Sequence, residues 1–123
     1  MTADEFQRMK GKKAKPNTNN LTKSIVSWLN YNGFVAWRNN NNSVYSVKQQ
    51  VFRKNPLQKL GVFDIIGFRK SDGKHIEIEI KTGRDRISDS QINHLNELCL
   101  NNCIGFVVND FDGFIFCIRN YLK

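Results

Sequence analysis

The sequence predicts a small mixed α/β domain with helices against a central sheet, and three observations carry that prediction. Two apolar-alternating runs, residues 62–70 and 75–81, flank Ser71-Asp72-Gly73, the pattern of a β-hairpin. A helical run follows the hairpin and leads to a further apolar strand at 104–108, so that strand can return parallel to the one before the helix. Apolar residues at helical spacing also precede the hairpin, at Leu21, Ile25, Trp28 and Leu29. With 123 residues the chain is one domain with one core.

Composition narrows the partner. Nineteen Lys and Arg against eleven Asp and Glu give a net charge of +8 and an isoelectric point near 9.6, which favours a polyanion. Cys99, Cys103 and Cys117 are odd in number and form no CxxC pair, a usage expected of reduced, mostly buried thiols in a cytosol. No apolar run approaches the length of a membrane span, and the N-terminus is charged rather than signal-like. The expected location is cytoplasmic, with no membrane partner.

In chain order, residues 1–20 are polar, with Arg8, Lys10, Lys12, Lys13 and Lys15 close together. They read as a mobile basic arm that either grips phosphates or is a solvated tail. Residues 21–123 form the domain. Its first helix spans 21–32, capped by Asn20 or Thr22 and stopped at Asn32-Gly33. A short strand, 33–38, ends at Arg38; a polar asparagine run follows, and residues 43–52 form a strand or an irregular flap. Residues 53–60 make a basic loop in which Arg53, Lys54 and Lys59 would neutralise phosphates without reading sequence.

The hairpin concentrates charge. If Asp72 and Gly73 are a two-residue turn, Asp64 lies opposite Lys81, with Glu79 diagonal to Asp64 at roughly 7–8 Å. Alternation puts Phe63, Ile65, Ile76, Ile78 and Ile80 on one side and Asp64, Glu77, Glu79 and Lys81 on the other. Converging carboxylates raise one another's pKa, and a hard cation such as Mg²⁺ relieves this. The alternative is a half-exposed hairpin with Lys–Glu pairs on its wet face.

Beyond Lys81, residues 82–86 form a turn whose Arg84 and Arg86 either clamp a phosphate backbone or solvate a loop. Ser88 and Gln91 make a capping box, with Ile87 and Ile92 as a hydrophobic staple. That gives Gln91 a structural explanation beside any functional one. This helix is expected to bury Ile92, Leu95, Leu98 and Cys99, to end near Asn101-Asn102, and to hold His94 on its polar face. Neither His94 nor His75 has a partner at zinc-ligand spacing. Apolar residues from Phe111 to Leu122 recur at helical spacing and suggest a closing helix, with an edge strand as the alternative.

Asp64 followed by Glu79-Ile80-Lys81 resembles the core motif of the PD-(D/E)XK nuclease superfamily. The longer run GVFDIIGF…IEIKTGRDRIS…Q is similar to the VRR-NUC branch, especially its stand-alone phage-type members, from about Asn20 to the C-terminus. The resemblance implies a restriction-endonuclease-like fold and hydrolysis of DNA phosphodiesters with Mg²⁺ or Mn²⁺, leaving a 5′-phosphate and a 3′-hydroxyl. It implies that Asp64, Glu79 and the Ile80 carbonyl bind metal, that Lys81 acts on the water or phosphate, and that Gln91 assists. It sets Arg38 on the phosphate side of the cleft, where the other reading is a surface arginine packed on Trp37. Stand-alone relatives that act on branched DNA work as homodimers, so a homodimer cutting Holliday-type junctions is the expectation.

Two departures stand out. Phe63 replaces the usual proline, and the first helix lacks the carboxylate these nucleases often place there, with Glu77 as a partial substitute. The second departure motivates an alternative, a catalytically degenerate nuclease fold that only binds DNA.

Overall fold

In a computed structural model, residues 18–39, 44–46, 51–53, 57 and 59–122 are described, so the basic arm to Asn17 and Lys54 lie outside them. The chain runs α1 (Thr18–Tyr31), β1 (Phe34–Arg38), β2 (Val44–Ser46), β3 (Val51–Arg53), β4 (Ile65–Arg69), β5 (His75–Ile80), α2 (Asp89–Leu100), β6 (Ile104–Val108) and α3 (Phe111–Ile118). A 3₁₀ turn, Arg119–Tyr121, follows. Helices and a mixed sheet are what the sequence predicts.

Four strands form the sheet in the order β1-β4-β5-β6. The β1–β4 and β4–β5 pairs are antiparallel, and β5–β6 is parallel, with α2 as the crossover. Strands β2 and β3 pair antiparallel as a separate ribbon, so the described part of the 43–52 segment is two short strands, and residues 43 and 47–50 lie outside the described residues.

The hairpin turn differs from the two-residue form. Gly73 N–H donates to the Arg69 carbonyl at 2.7 Å and Arg69 N–H to the Lys74 carbonyl at 2.8 Å, so residues 70–73 make a four-residue loop. The cause is a guanidinium clamp. Arg69 Nε and Nη2 hold the two Asp72 carboxylate oxygens at 3.0 and 2.6 Å, and Arg69 with Lys74 N–H keeps the Asp72 carboxyl down at about 2. Ile65 therefore pairs with Ile78, a register two residues from the predicted one. A shift of two preserves every face, so the alternation argument survives the error.

One face of the sheet packs Phe34, Ala36, Ile65, Ile76, Ile78, Ile80, Ile104 and Val108 against Leu21, Ile25 and Leu29 of α1 and Phe111, Phe114 and Ile118 of α3. Helix α1 starts at Thr18, ahead of its apolar period. Thr22 is no cap but an interior residue, fully buried, whose hydroxyl donates to the Thr18 carbonyl at 2.7 Å. Closure by α3 removes the edge-strand alternative. Asp110 caps it, accepting from Gly113 N–H at 2.7 Å. Asp110→Ala should cost about 1 kcal/mol, read from the urea midpoint at unchanged m-value.

Helix α2 crosses the other face, where Gly105 leaves room for Leu95 and Leu98. Its buried residues are His94 and Leu98, while Ile92 and Cys99 are exposed, against expectation. The reason lies beneath it. Glu77 and Glu79 are 4% and 3% exposed under this helix, and buried carboxylates need donors more than they need methyl groups. Cys103 and Cys117 are half-buried and Cys99 is exposed, so the cysteines are not the mostly buried thiols expected. Among the described residues, no helix is long and apolar enough to cross a membrane.

Candidate active site

Extending the Ile65–Ile78 register by one residue sets Asp64 directly opposite Glu79, rather than diagonal to it. The strand end carrying Asp64 is held on both sides. Asn39 N–H donates to the Asp64 carbonyl at 2.7 Å, and Asp64 N–H donates to Glu79 Oε1 at 3.1 Å. The Asp64 side chain reaches across, Oδ2 accepting from Ile80 N–H at 3.1 Å. Glu79 Oε2 accepts from Gln91 Nε2 at 2.6 Å and lies 3.2 Å from Lys81 Nζ. Four predicted residues thus meet at one spot.

The electrostatics of the spot are unbalanced. Burial, then the charge of Asp64, push the Glu79 carboxyl up to about 7, and Lys81 offsets only part of this. Gln91 serves both of its readings. Its Oε1 accepts from Ser88 N–H at 2.9 Å, completing the capping box, while its Nε2 donates to Glu79. One planar amide ties the helix start to the acid.

The other predicted residues stand apart. Arg38, exposed at the end of β1, falls by alternation on the Phe34 and Ala36 face, whereas Trp37 lies on the Asp64 face and is 47% exposed. Arg84 and Arg86 are exposed in the loop between Lys81 and α2, a loop tied to α1 by a Thr18–Thr82 hydroxyl bond of 2.8 Å. Lys59 turns onto α2, with Nζ 2.9 Å from His94 Nδ1 and 3.0 Å from Glu97 Oε2.

Phe63 and His94 depart most from the sequence reading. Phe63 is buried but stands outside the main core, with its ring edge-on to His94 at 5.3 Å, on the α2 side. His94 is 7% exposed, not on a polar face, and its Nε2 lies 2.6 Å from Glu77 Oε1. That oxygen also accepts from Phe63 N–H at 3.2 Å, and Oε2 lies 2.7 Å from His75 Nε2. Both Glu77 oxygens are engaged away from the Asp64–Glu79 pair. The signal for His94 was its spacing: three residues after Gln91, as Glu77 is two before Glu79, so each pair shares a face.

Among the described residues, no group of three or more His, Cys, Asp or Glu side chains forms a ready-made metal cage. The donor set is smaller, two opposed carboxylates with the Ile80 carbonyl next to Glu79 in the chain. It suits a hard cation of the Mg²⁺ or Mn²⁺ type, because the second charge on Glu79 is held at a cost that such an ion would remove. No protein-family model matches this chain, and no curated protein matches it.

Proposed function

We propose that this chain is a Mg²⁺- or Mn²⁺-dependent DNA endonuclease of the PD-(D/E)XK type, in its VRR-NUC branch, on a restriction-endonuclease-like fold. One observation carries the proposal. Asp64 and Glu79 oppose each other across a hairpin, with an ammonium, Lys81, and an amide, Gln91, both on the Glu79 carboxylate. A half-buried and a buried acid facing each other, with the buried one pushed to about 7, are a costly arrangement for a fold to keep without a use.

The cation, when bound, supplies Lewis acidity and a lowered pKa for water. This chain's residues do the rest. Asp64 and Glu79, with the Ile80 carbonyl, would hold the ion. Lys81, relieved of its bond to Glu79, would face the scissile phosphate and balance charge there or steady the attacking water. Gln91 keeps Glu79 aimed. Arg84 and Arg86, exposed in the loop that follows Lys81, would neutralise flanking phosphates, with Arg38 at the sheet edge. Branched DNA is the proposed substrate and a homodimer the proposed working form, since two strands need two sites.

A second reading has its own observation: α1, TNNLTKSIVSWLNY, contains no carboxylate, so the acid set is one short of the commoner pattern. It describes a DNA-binding protein on an inherited scaffold. Lys81→Ala separates the two. The nuclease reading expects at least a 100-fold loss of cleavage rate with DNA affinity within about threefold. Wild-type and variant alike binding DNA without cutting, under either metal, would leave the second reading standing.

A further inference from the structure

Two hydrogen-bonded rungs join α2 to β5 and to the chain entering β4. In the first, Gln91 Nε2 donates to Glu79, which accepts Asp64 N–H. In the second, His94 Nε2 donates to Glu77 Oε1, which accepts Phe63 N–H. The helix donors are three residues apart, the strand carboxylates two, and the backbone amides adjacent. We propose that the second rung, His94–Glu77–Phe63, is a positioning device for the first, setting Gln91 and Asp64 against Glu79. This rests on the nuclease reading for its catalytic consequence, but not for its geometry.

The physical case has three parts. A helix fixed to a strand at one point can pivot, whereas two points a helical turn apart set its orientation as well. Burial makes the second point strong: Glu77 and His94 are 4% and 7% exposed, so neither can exchange its partner for water at low cost. The orientation of His94 is itself fixed. An ammonium has donors only, so Lys59 Nζ at 2.9 Å makes Nδ1 the acceptor and leaves the ring proton on Nε2, pointing at Glu77. The Lys59–Glu97 pair at 3.0 Å is half-exposed and adds little stability, but it holds Lys59 where it sets that tautomer.

The Phe63 departure now has an explanation. A proline at that position has no N–H, and the bond to Glu77 would not exist. Phe63 supplies both the donor and a ring lying edge-on to His94 at 5.3 Å. The carboxylate that seemed a spare ligand is instead the keystone of the support.

The test uses His94→Phe, which keeps the ring and removes the donor; His94→Gln, which restores a donor; and Leu98→Ala, a destabilising control in the same helix. The first readout is the Gln91 side-chain amide signal in the metal-free protein by ¹⁵N NMR. His94→Phe should move it toward the position of solvent-exposed amides, His94→Gln should return most of the shift, and Leu98→Ala should leave it in place. The second readout is cleavage, where His94→Phe should lower kcat about 10- to 100-fold with KM nearly unchanged. If His94→Phe does not fold, Glu77→Gln is expected to move the amide signal in the same direction. A Gln91 signal unmoved in His94→Phe, or moved equally by Leu98→Ala, overturns the proposal. Absence of cleavage by the wild type would count against the nuclease reading alone, because the amide signal decides the positioning role without it.

Discussion

Glu79→Gln is expected to abolish cleavage, by 10³-fold or more, and to flatten the pH dependence of the metal-free protein's stability between pH 5 and 8. The activity loss follows from the removal of a charged oxygen that, on the proposed reading, would hold the cation opposite Asp64. The flatter profile follows from linkage. The Glu79 carboxyl moves from its ordinary 4.5 to about 7 on folding, raised by burial and by Asp64, so the folded state binds the proton more tightly than the unfolded chain. Its stabilising contribution is fully present below 4.5 and is lost as pH rises through 7. The loss at pH 8 is on the order of 2–3 kcal/mol. Glutamine does not ionise, so urea unfolding of the variant should show a flatter pH profile between 5 and 8, set against a pH-independent cost because its NH₂ meets a donor where Glu79 had an acceptor oxygen. Millimolar Mg²⁺ should stabilise the wild type at pH 8 and leave the variant unchanged. A variant whose stability falls between pH 5 and 8 as steeply as that of the wild type, without metal, would contradict this.

Gly61→Ala should be the most damaging single methyl group in the loop before Asp64. Gly61 has φ of +80°, where an L side chain is strained by about 1–2 kcal/mol. Its added Cβ would also run into the Ser90 carbonyl at the start of α2. Neither that carbonyl nor the Gln91 nitrogen beside it can yield cheaply, since both are backbone. The combined cost should be about 2–4 kcal/mol by urea unfolding. Because Ser90 precedes Gln91, cleavage should fall beyond what the folded fraction explains. A loss under 1 kcal/mol would show that the loop approaches α2 less closely than described.

Much of the site was legible because strand alternation is robust. The predicted turn was wrong by two residues, since the Arg69–Asp72 clamp could not be weighed from composition, yet Asp64, Glu79 and Lys81 kept their shared face. The capping box of α2 was legible from Ser88 and Gln91, and the second use of that glutamine was one of two open readings. What stayed hidden was which side of α2 is buried. Apolar counting favours Ile92 and Cys99, but the helix lies over two carboxylates, and their need for donors turned Gln91 and His94 inward instead. Asn39 was missed for a different reason. It lies in a run of like residues, and only the register of β1 shows that this one reaches Asp64.

The most direct measurement is cleavage of end-labelled linear, flapped and four-way-junction DNA by the wild-type protein, with Mg²⁺ or Mn²⁺ and with EDTA, beside Asp64→Ala. The expected result is metal-dependent cutting, strongest on a branched substrate, absent in EDTA and absent in the variant. Binding without cutting under either metal, or cutting that persists in Asp64→Ala, would contradict it.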